Sequence, residues 1–258
     1  MNIFKAIARS LWKLLFVLNF VTGLLVLYPL FYILLSREAW FPMALTLKRF
    51  WARWILIVPG IFVSIIEDKA KIKTIPKPCI YCANHSSYLD IVISYIILPD
   101  YFVFMGKAEL LKAPLFSIFF TRGMNIAVER KSRIGSHQAF LQAAKEIDKG
   151  HSMFMFPEGT LSSNGQLKGF KNGAFKLALD KQLPIVPITF TNNWKLLQNG
   201  GFFKALGGPG IAKVIIHEPI STKGYTDTDL VYLLNKTHDA IASGLTPPLS
   251  KGEGGNKD

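Results

Sequence analysis

The sequence predicts an α/β protein: a mainly parallel central sheet flanked by helices, preceded by an N-terminal membrane-associated helical segment. Three observations carry this. Short apolar runs at 80–83, 101–105, 125–128, 153–156, 185–190 and 214–216 read as buried strands. Helical periodicity lies between them, as in 136–149, and such alternation implies parallel strands covered on both faces. Ahead of them, residues 14–35 run for 22 positions without a charge.

The elements follow in chain order. At about 1.5 Å per residue the 14–35 stretch matches the hydrocarbon core of a bilayer, so a membrane helix is the default reading. The apolar stretch is too long for a cleaved leader, and no small-residue cleavage pattern precedes Arg37. The block 54–66, broken by Pro59 and Gly60, reads as an interfacial or re-entrant helix, with Trp40, Trp51 and Trp54 at a headgroup boundary. Lys5, Arg9 and Lys13 precede the apolar stretch, and Arg37, Lys48, Arg49 and Arg53 follow it, so the positive-inside count is balanced. The count therefore leaves the orientation open; a hairpin or one-leaflet helix pair with both ends cytoplasmic is the expectation if the chain's substrate is cytosolic.

Residues 1–67 are assigned to membrane-anchoring helices, 68–242 to the α/β domain, and 243–258, rich in Gly, Pro, Ser and Lys, to a disordered tail. The lysines of 69–77 read as a solvated connector, and 200–210 as a loop. At 258 residues the chain holds one large core plus a short extension. Thirty Lys and Arg against 17 Asp and Glu give a net charge of +13, which suits an anionic partner. There is no recognition helix, zinc-ligand pattern or aromatic strand motif of a nucleic-acid binder, and the apolar N-terminus favours the lipid bilayer.

The chemistry concentrates in Asn84-His85-Ser86-Ser87-Tyr88-Leu89-Asp90. A five-residue step turns about 500° on a helix, so His85 and Asp90 cannot share one helical face. They must straddle a boundary: a strand at 80–83, His85 in the following turn, and a helix starting at Ser86 or Ser87 that puts Asp90 in its first turn. There the carboxylate can hold one imidazole nitrogen while the other takes a proton, which makes His85 a candidate general base. Two further clusters also close apolar runs: Val128-Glu129-Arg130 and Phe156-Pro157-Glu158-Gly159-Thr160.

These blocks, closed by Val186-Pro187-Ile188, resemble in identity and order those of the glycerolipid acyltransferase family, whose best-known members are 1-acylglycerol-3-phosphate acyltransferases. The resemblance covers 80–188. It implies that His85, oriented by Asp90, deprotonates a substrate hydroxyl that attacks an acyl thioester directly, with no acyl-enzyme. It implies that Arg130 holds the acceptor's phosphate, where a planar guanidinium suits bidentate contact. Glu158 resembles a group that positions the acceptor hydroxyl, and Gly159 and Thr160 are candidate donors beside it. Lys107, in Gly106-Lys107-Ala108-Glu109-Leu110, resembles a lysine the family often carries. Two departures stand out: Gly123 lies one residue farther from the arginine than is usual, and Leu161 occupies a position where the family commonly has arginine. Lys168, Lys171 and the Arg130-Lys131 pair are the nearest substitutes.

The expected activity is acyl transfer from acyl-CoA or acyl carrier protein, acting as substrate with no cofactor, to a lysophospholipid. The acceptor of choice is 1-acylglycerol 3-phosphate, giving phosphatidic acid, at the cytoplasmic face of the inner membrane. The alternatives are an acyltransferase for another lyso-lipid, such as a lyso-aminolipid, or a non-catalytic membrane-binding module. A lipid hydrolase is disfavoured because there is no G-x-S-x-G elbow. No metal site is expected. Cys79 and Cys82 fall on opposite faces of a strand, and His137, His151, His217 and His238 lack ligand spacing.

Overall fold

The computed structural model describes residues 3–66 and 75–245. It opens with two helices, α1 (Ile3–Leu34) and α2 (Phe41–Ile57), folded back on each other as an antiparallel hairpin. Contacts fix the pairing along its length. The Trp12 indole N–H donates to Pro59 O at 2.8 Å, Trp54 Nε1 donates to Asn19 Oδ1 at 2.6 Å, and Gly23 lies against Trp51. Trp51 is 5% exposed, wedged against Phe20 and Phe31, so it belongs to the core and not to a headgroup boundary. A Cβ at Gly23 would stand 2.6 Å from Trp51 Nε1. Gly23→Ala is therefore expected to lower stability by about 1–3 kcal/mol through overpacking, read as a fall in Tm.

The stretch 54–66 departs from its expected reading as a helix. Trp54–Ile57 finishes α2, Pro59 and Gly60 make the turn with Gly60 at φ 79°, and Ile61–Ile65 forms strand β1. Its alternating burial is that of an edge strand, with Ile61 inward and Phe62 outward. The sheet thus begins at Ile61, ahead of the position 68 expected for the α/β domain.

The remaining strands are β2 (Ile80–Ala83), β3 (Phe102–Lys107), β4 (Ile126–Val128), β5 (Ser152–Met155), β6 (Ile185–Phe190) and β7 (Gly210–Ile216). Their order is β1-β7-β6-β2-β5-β3-β4, parallel throughout except at the antiparallel β6–β7 pair. The mainly parallel sheet flanked by helices is thus present. One face carries the hairpin and α3 (Leu89–Ile97), with Phe31, Trp51, Tyr81 and Phe154 in a shared core. The other carries α5 (Arg133–Asp148), α6 (Gly173–Asp180) and α8 (Leu230–Leu245), packed on Ile80, Met153 and Phe175. Short helices α4 (Ile118–Thr121) and α7 (Asn193–Leu196) complete the set. Cys79 and Cys82 lie in opposite cores, as expected of a strand. The expected tail at 243–258 lies outside the described residues except for Ser243–Leu245, which end α8; the 69–77 connector likewise lies mostly outside them.

One buried charge stands out. Lys48 of α2 donates to the Tyr95 hydroxyl at 3.2 Å and lies 4.3 Å from the Phe119 ring centre, and burial lowers its pKa to about 7. Its unfolded value is the higher one, so between about pH 7 and 10.5 the unfolded chain holds the extra proton and the contribution of Lys48 to stability rises with pH. The buried Cys79 and Cys82 thiols, pushed up by burial, act in the opposite direction above their ordinary values, so the Lys48 effect is expected in chemical denaturation as a difference between wild type and Lys48→Met that grows in favour of the wild type with rising pH. Relative to wild type, Lys48→Met should therefore be most stable at the acid end.

Candidate active site

The parallel strands place their carboxyl ends, and the loops that follow, on one edge of the molecule, and His85, Arg130 and Glu158 all leave from that edge. Asn84, just past β2, spans to β6: its Nδ2 donates to Phe190 O at 3.0 Å and its Oδ1 accepts from Phe190 N at 2.8 Å. That two-way bond fixes the turn from which His85 projects. The helix begins at Leu89, later than the expected Ser86 or Ser87, and Asp90 lies in its first turn as expected.

His85 Nδ1 lies 3.0 Å from Asp90 Oδ2. The carboxylate is fully buried and richly supplied with donors. Oδ2 also accepts from the backbone of Ser86 at 2.7 Å and Ser87 at 2.9 Å, and Oδ1 accepts from Asn193 Nδ2 at 2.7 Å. An acceptor-only group with these neighbours has one consistent arrangement, in which Nδ1 carries the proton and donates it to Asp90. Nε2 is left as the basic nitrogen, with no hydrogen-bond partner among the described residues. The ring stacks on Phe156 at 4.0 Å between centres, which limits its rotation.

Glu158 lies behind the histidine. It is 4% exposed, its Oε1 accepts from the backbone N–H of His85 at 2.7 Å, and its Oε2 accepts from Lys168 N at 3.1 Å. Burial raises its pKa, and the two backbone donors oppose that shift. Ser162 N closes the bracket by donating to His85 O at 2.8 Å. The β5 turn therefore grips the His85 backbone from both sides. Gly159 at φ 70° makes that turn, with the Lys171 side chain packed where a Cβ would stand.

The cations gather beside this turn. The Arg130 guanidinium donates to the Gly159 carbonyl, and Lys168 Nζ donates to Thr160 Oγ1 and Leu161 O, each at 3.1 Å. The Lys168 ammonium thus lies against the backbone of Leu161, the residue found where the resemblance implies an arginine. Lys107 ends β3, exposed and in register with Val128 two residues before Arg130. Among the described residues no group of three or more His, Cys, Asp or Glu side chains could hold a metal ion.

Asn193 is the site residue that the sequence pattern did not reveal. It is fully buried just beyond the carboxyl end of β6, and position at a strand's carboxyl end was the signal available.

The chain is thus an α/β protein with a buried histidine–carboxylate pair at the carboxyl edge of its mainly parallel sheet. The structure superposes on the crystal structure of the 1-acyl-sn-glycerophosphate acyltransferase PlsC from Thermotoga maritima with a TM-score of 0.72, covering 95% of this chain and 96% of that one at 22% identity. A profile of the acyltransferase family matches residues 65–191. The chain is 31% identical over 193 residues to the 1-acyl-sn-glycerol-3-phosphate acyltransferase of Limnanthes douglasii, covering 73% of this chain and 68% of that protein. It is 34% identical over 166 residues to the enzyme of that name from Haemophilus influenzae, covering 63% and 66%. It spans about half the length of the chloroplastic relatives from Brassica napus and Arabidopsis thaliana, 49% and 48%. This chain belongs to the acyltransferase family.

Proposed function

We propose that this protein transfers an acyl chain from an acyl thioester to the free hydroxyl of 1-acylglycerol 3-phosphate, giving phosphatidic acid. The observation that carries the reading is the buried Asp90 carboxylate on His85 Nδ1, which leaves Nε2 as the basic nitrogen, on a turn bound to the Glu158 loop that Arg130 and Lys168 also contact. His85 Nε2 takes the hydroxyl proton as that oxygen attacks the thioester carbonyl. Asp90 balances the imidazolium, and collapse of the tetrahedral intermediate expels the thiolate, which recovers the proton from His85. Glu158, expected from the resemblance to position the acceptor hydroxyl, has both oxygens on backbone N–H groups, and acts instead by holding the His85 backbone in place.

Arg130, Lys107 and Lys168 supply positive charge for the acceptor phosphate, with one guanidinium N–H of Arg130 tied to the Gly159 carbonyl and the others available for a charge-assisted contact. Arg130→Ala is expected to raise acceptor KM by about 10–100-fold and to change kcat less, as loss of a charge-assisted contact predicts. Unchanged acceptor KM in steady-state kinetics would remove Arg130 from the phosphate site.

The donor is acyl-CoA or acyl carrier protein. The membrane is met by the hairpin in one leaflet, at the cytoplasmic face of the inner membrane. Support comes from α1, which is long and apolar enough to cross a bilayer yet presses Phe16, Leu24, Leu27 and Phe31 into the protein's own core. Its outer face bears exposed Leu11, Leu14, Leu18, Leu25 and Ile33. The reaction is tested by acyl transfer from a labelled thioester to a panel of lyso-lipids. Product with 1-acylglycerol 3-phosphate supports the assignment, product only with another lyso-lipid reassigns the acceptor, and no transfer to any acceptor refutes it.

A further inference from the structure

The loop between α7 and β7 has no part in the chemistry above, yet it is built with care. The backbone N–H groups of Lys204 and Ala205 both donate to Gly201 O, at 3.1 and 2.9 Å, closing a tight turn. Its crest is Phe202 and Phe203, 43% and 71% exposed and set edge to face at 5.4 Å. Two adjacent phenylalanines held out by a hydrogen-bonded turn make an unusual surface for water to cover.

The turn is clasped to the apolar hairpin. Lys13 of α1 is 5% exposed, and its ammonium donates to Phe202 O at 2.9 Å and to Ala205 O. Gly207 lies on the aliphatic part of the same lysine, so close that a Cβ there would stand 2.8 Å from Lys13 Cε. The phenylalanines are thereby fixed beside α1, where Leu11 and Leu14 are exposed. No acidic residue occurs in α1, α2, β1 or the 194–210 stretch, whereas Lys5, Arg9, Arg53, Lys195 and Lys204 do. An apolar crest continuous with an apolar helix, and flanked by basic charge alone, is matched to an anionic lipid surface.

The other end of the loop reaches the site. The Ser87 hydroxyl donates to Leu197 O at 2.7 Å, and Gln198 Nε2 donates to Ser163 O at 2.8 Å. We propose that Phe202 and Phe203 form a wedge that inserts into the interface of an anionic phospholipid surface beside α1, holding the His85–Asp90 turn at the level of the headgroups. The proposal rests on the one-leaflet seating of the hairpin described above.

The two native cysteines are buried, so Phe203→Cys and, separately, Leu11→Cys can each carry a bimane probe on the full-length chain. With vesicles of phosphatidylcholine and phosphatidylglycerol, bromination of the acyl chains is expected to quench both probes. Phe202→Ser/Phe203→Ser is expected to bind such vesicles about tenfold or more weakly, because two apolar side chains leave the interface. Quenching at 11 but not at 203 would overturn the wedge and leave the membrane seating standing; quenching at neither would overturn both. A concentration-dependent shift of the 203 probe without lipid would overturn the proposal in favour of a second copy of the chain.

Discussion

His85→Ala is expected to lower kcat/KM by about 10²–10⁴-fold while leaving Tm and the circular dichroism spectrum close to wild type. Loss of activity follows from Nε2, the only atom of the pair left free to take the acceptor's proton. Retention of the fold follows from the surroundings: Asp90 keeps its bonds to Ser86 N, Ser87 N and Asn193, and Glu158 holds the residue-85 backbone N–H whatever side chain it carries. The side chain's main packing loss is its stack on Phe156. A folded alanine variant that turns over at the wild-type rate would end the general-base assignment.

The second large effect is expected of Asp90→Asn, with kcat falling by about 10³-fold and stability changing little. The reason for the small structural effect lies in Asn193. Its Nδ2 serves Asp90 Oδ1, while its own Oδ1 is buried without a hydrogen-bond partner. When residue 90 becomes an amide, Asn193 can turn its amide about and accept where it formerly donated, so no donor is left facing a donor. The charge is nevertheless gone, and a neutral amide stabilises the imidazolium poorly. Asp90→Ala should behave differently, because it strands four donors, those of His85, Ser86, Ser87 and Asn193, and lowers Tm as well as kcat. The double variant His85→Ala/Asp90→Asn should be no slower than His85→Ala alone, since the two side chains act as one unit. Wild-type kcat in Asp90→Asn, measured by single-turnover acyl transfer, would dissolve the pairing.

The contrast between these residues shows what a sequence can disclose. His85 and Asp90 are legible because they lie five positions apart on either side of one strand-to-helix boundary, and Ser86 and Ser87, which supply the carboxylate's backbone donors, lie between them. Asn193 completes the same carboxylate from 103 positions away. No local pattern links it to Asp90; only the adjacency of β2 and β6 does. Glu158 was visible as a residue, yet its grip on the His85 backbone, 73 positions away, depends on the pairing of β2 with β5. The contact of the Lys168 ammonium with Thr160 and Leu161 likewise needed the path of the loop between them.

The amino-acid sequence by itself determined the alternation of strands and helices, the histidine–carboxylate turn, the order of the motifs and the apolar, basic N-terminus. Each is a matter of short-range periodicity or spacing. The tertiary structure alone decided that 61–65 joins the sheet as an edge strand, that β7 runs antiparallel to β6, that Trp51 is core and that Lys13 clasps a distant loop. The physical reason is that an apolar run states only that it will leave water. Which surface it meets, another strand, a helix or a lipid, is settled by the partners that chain topology brings within reach.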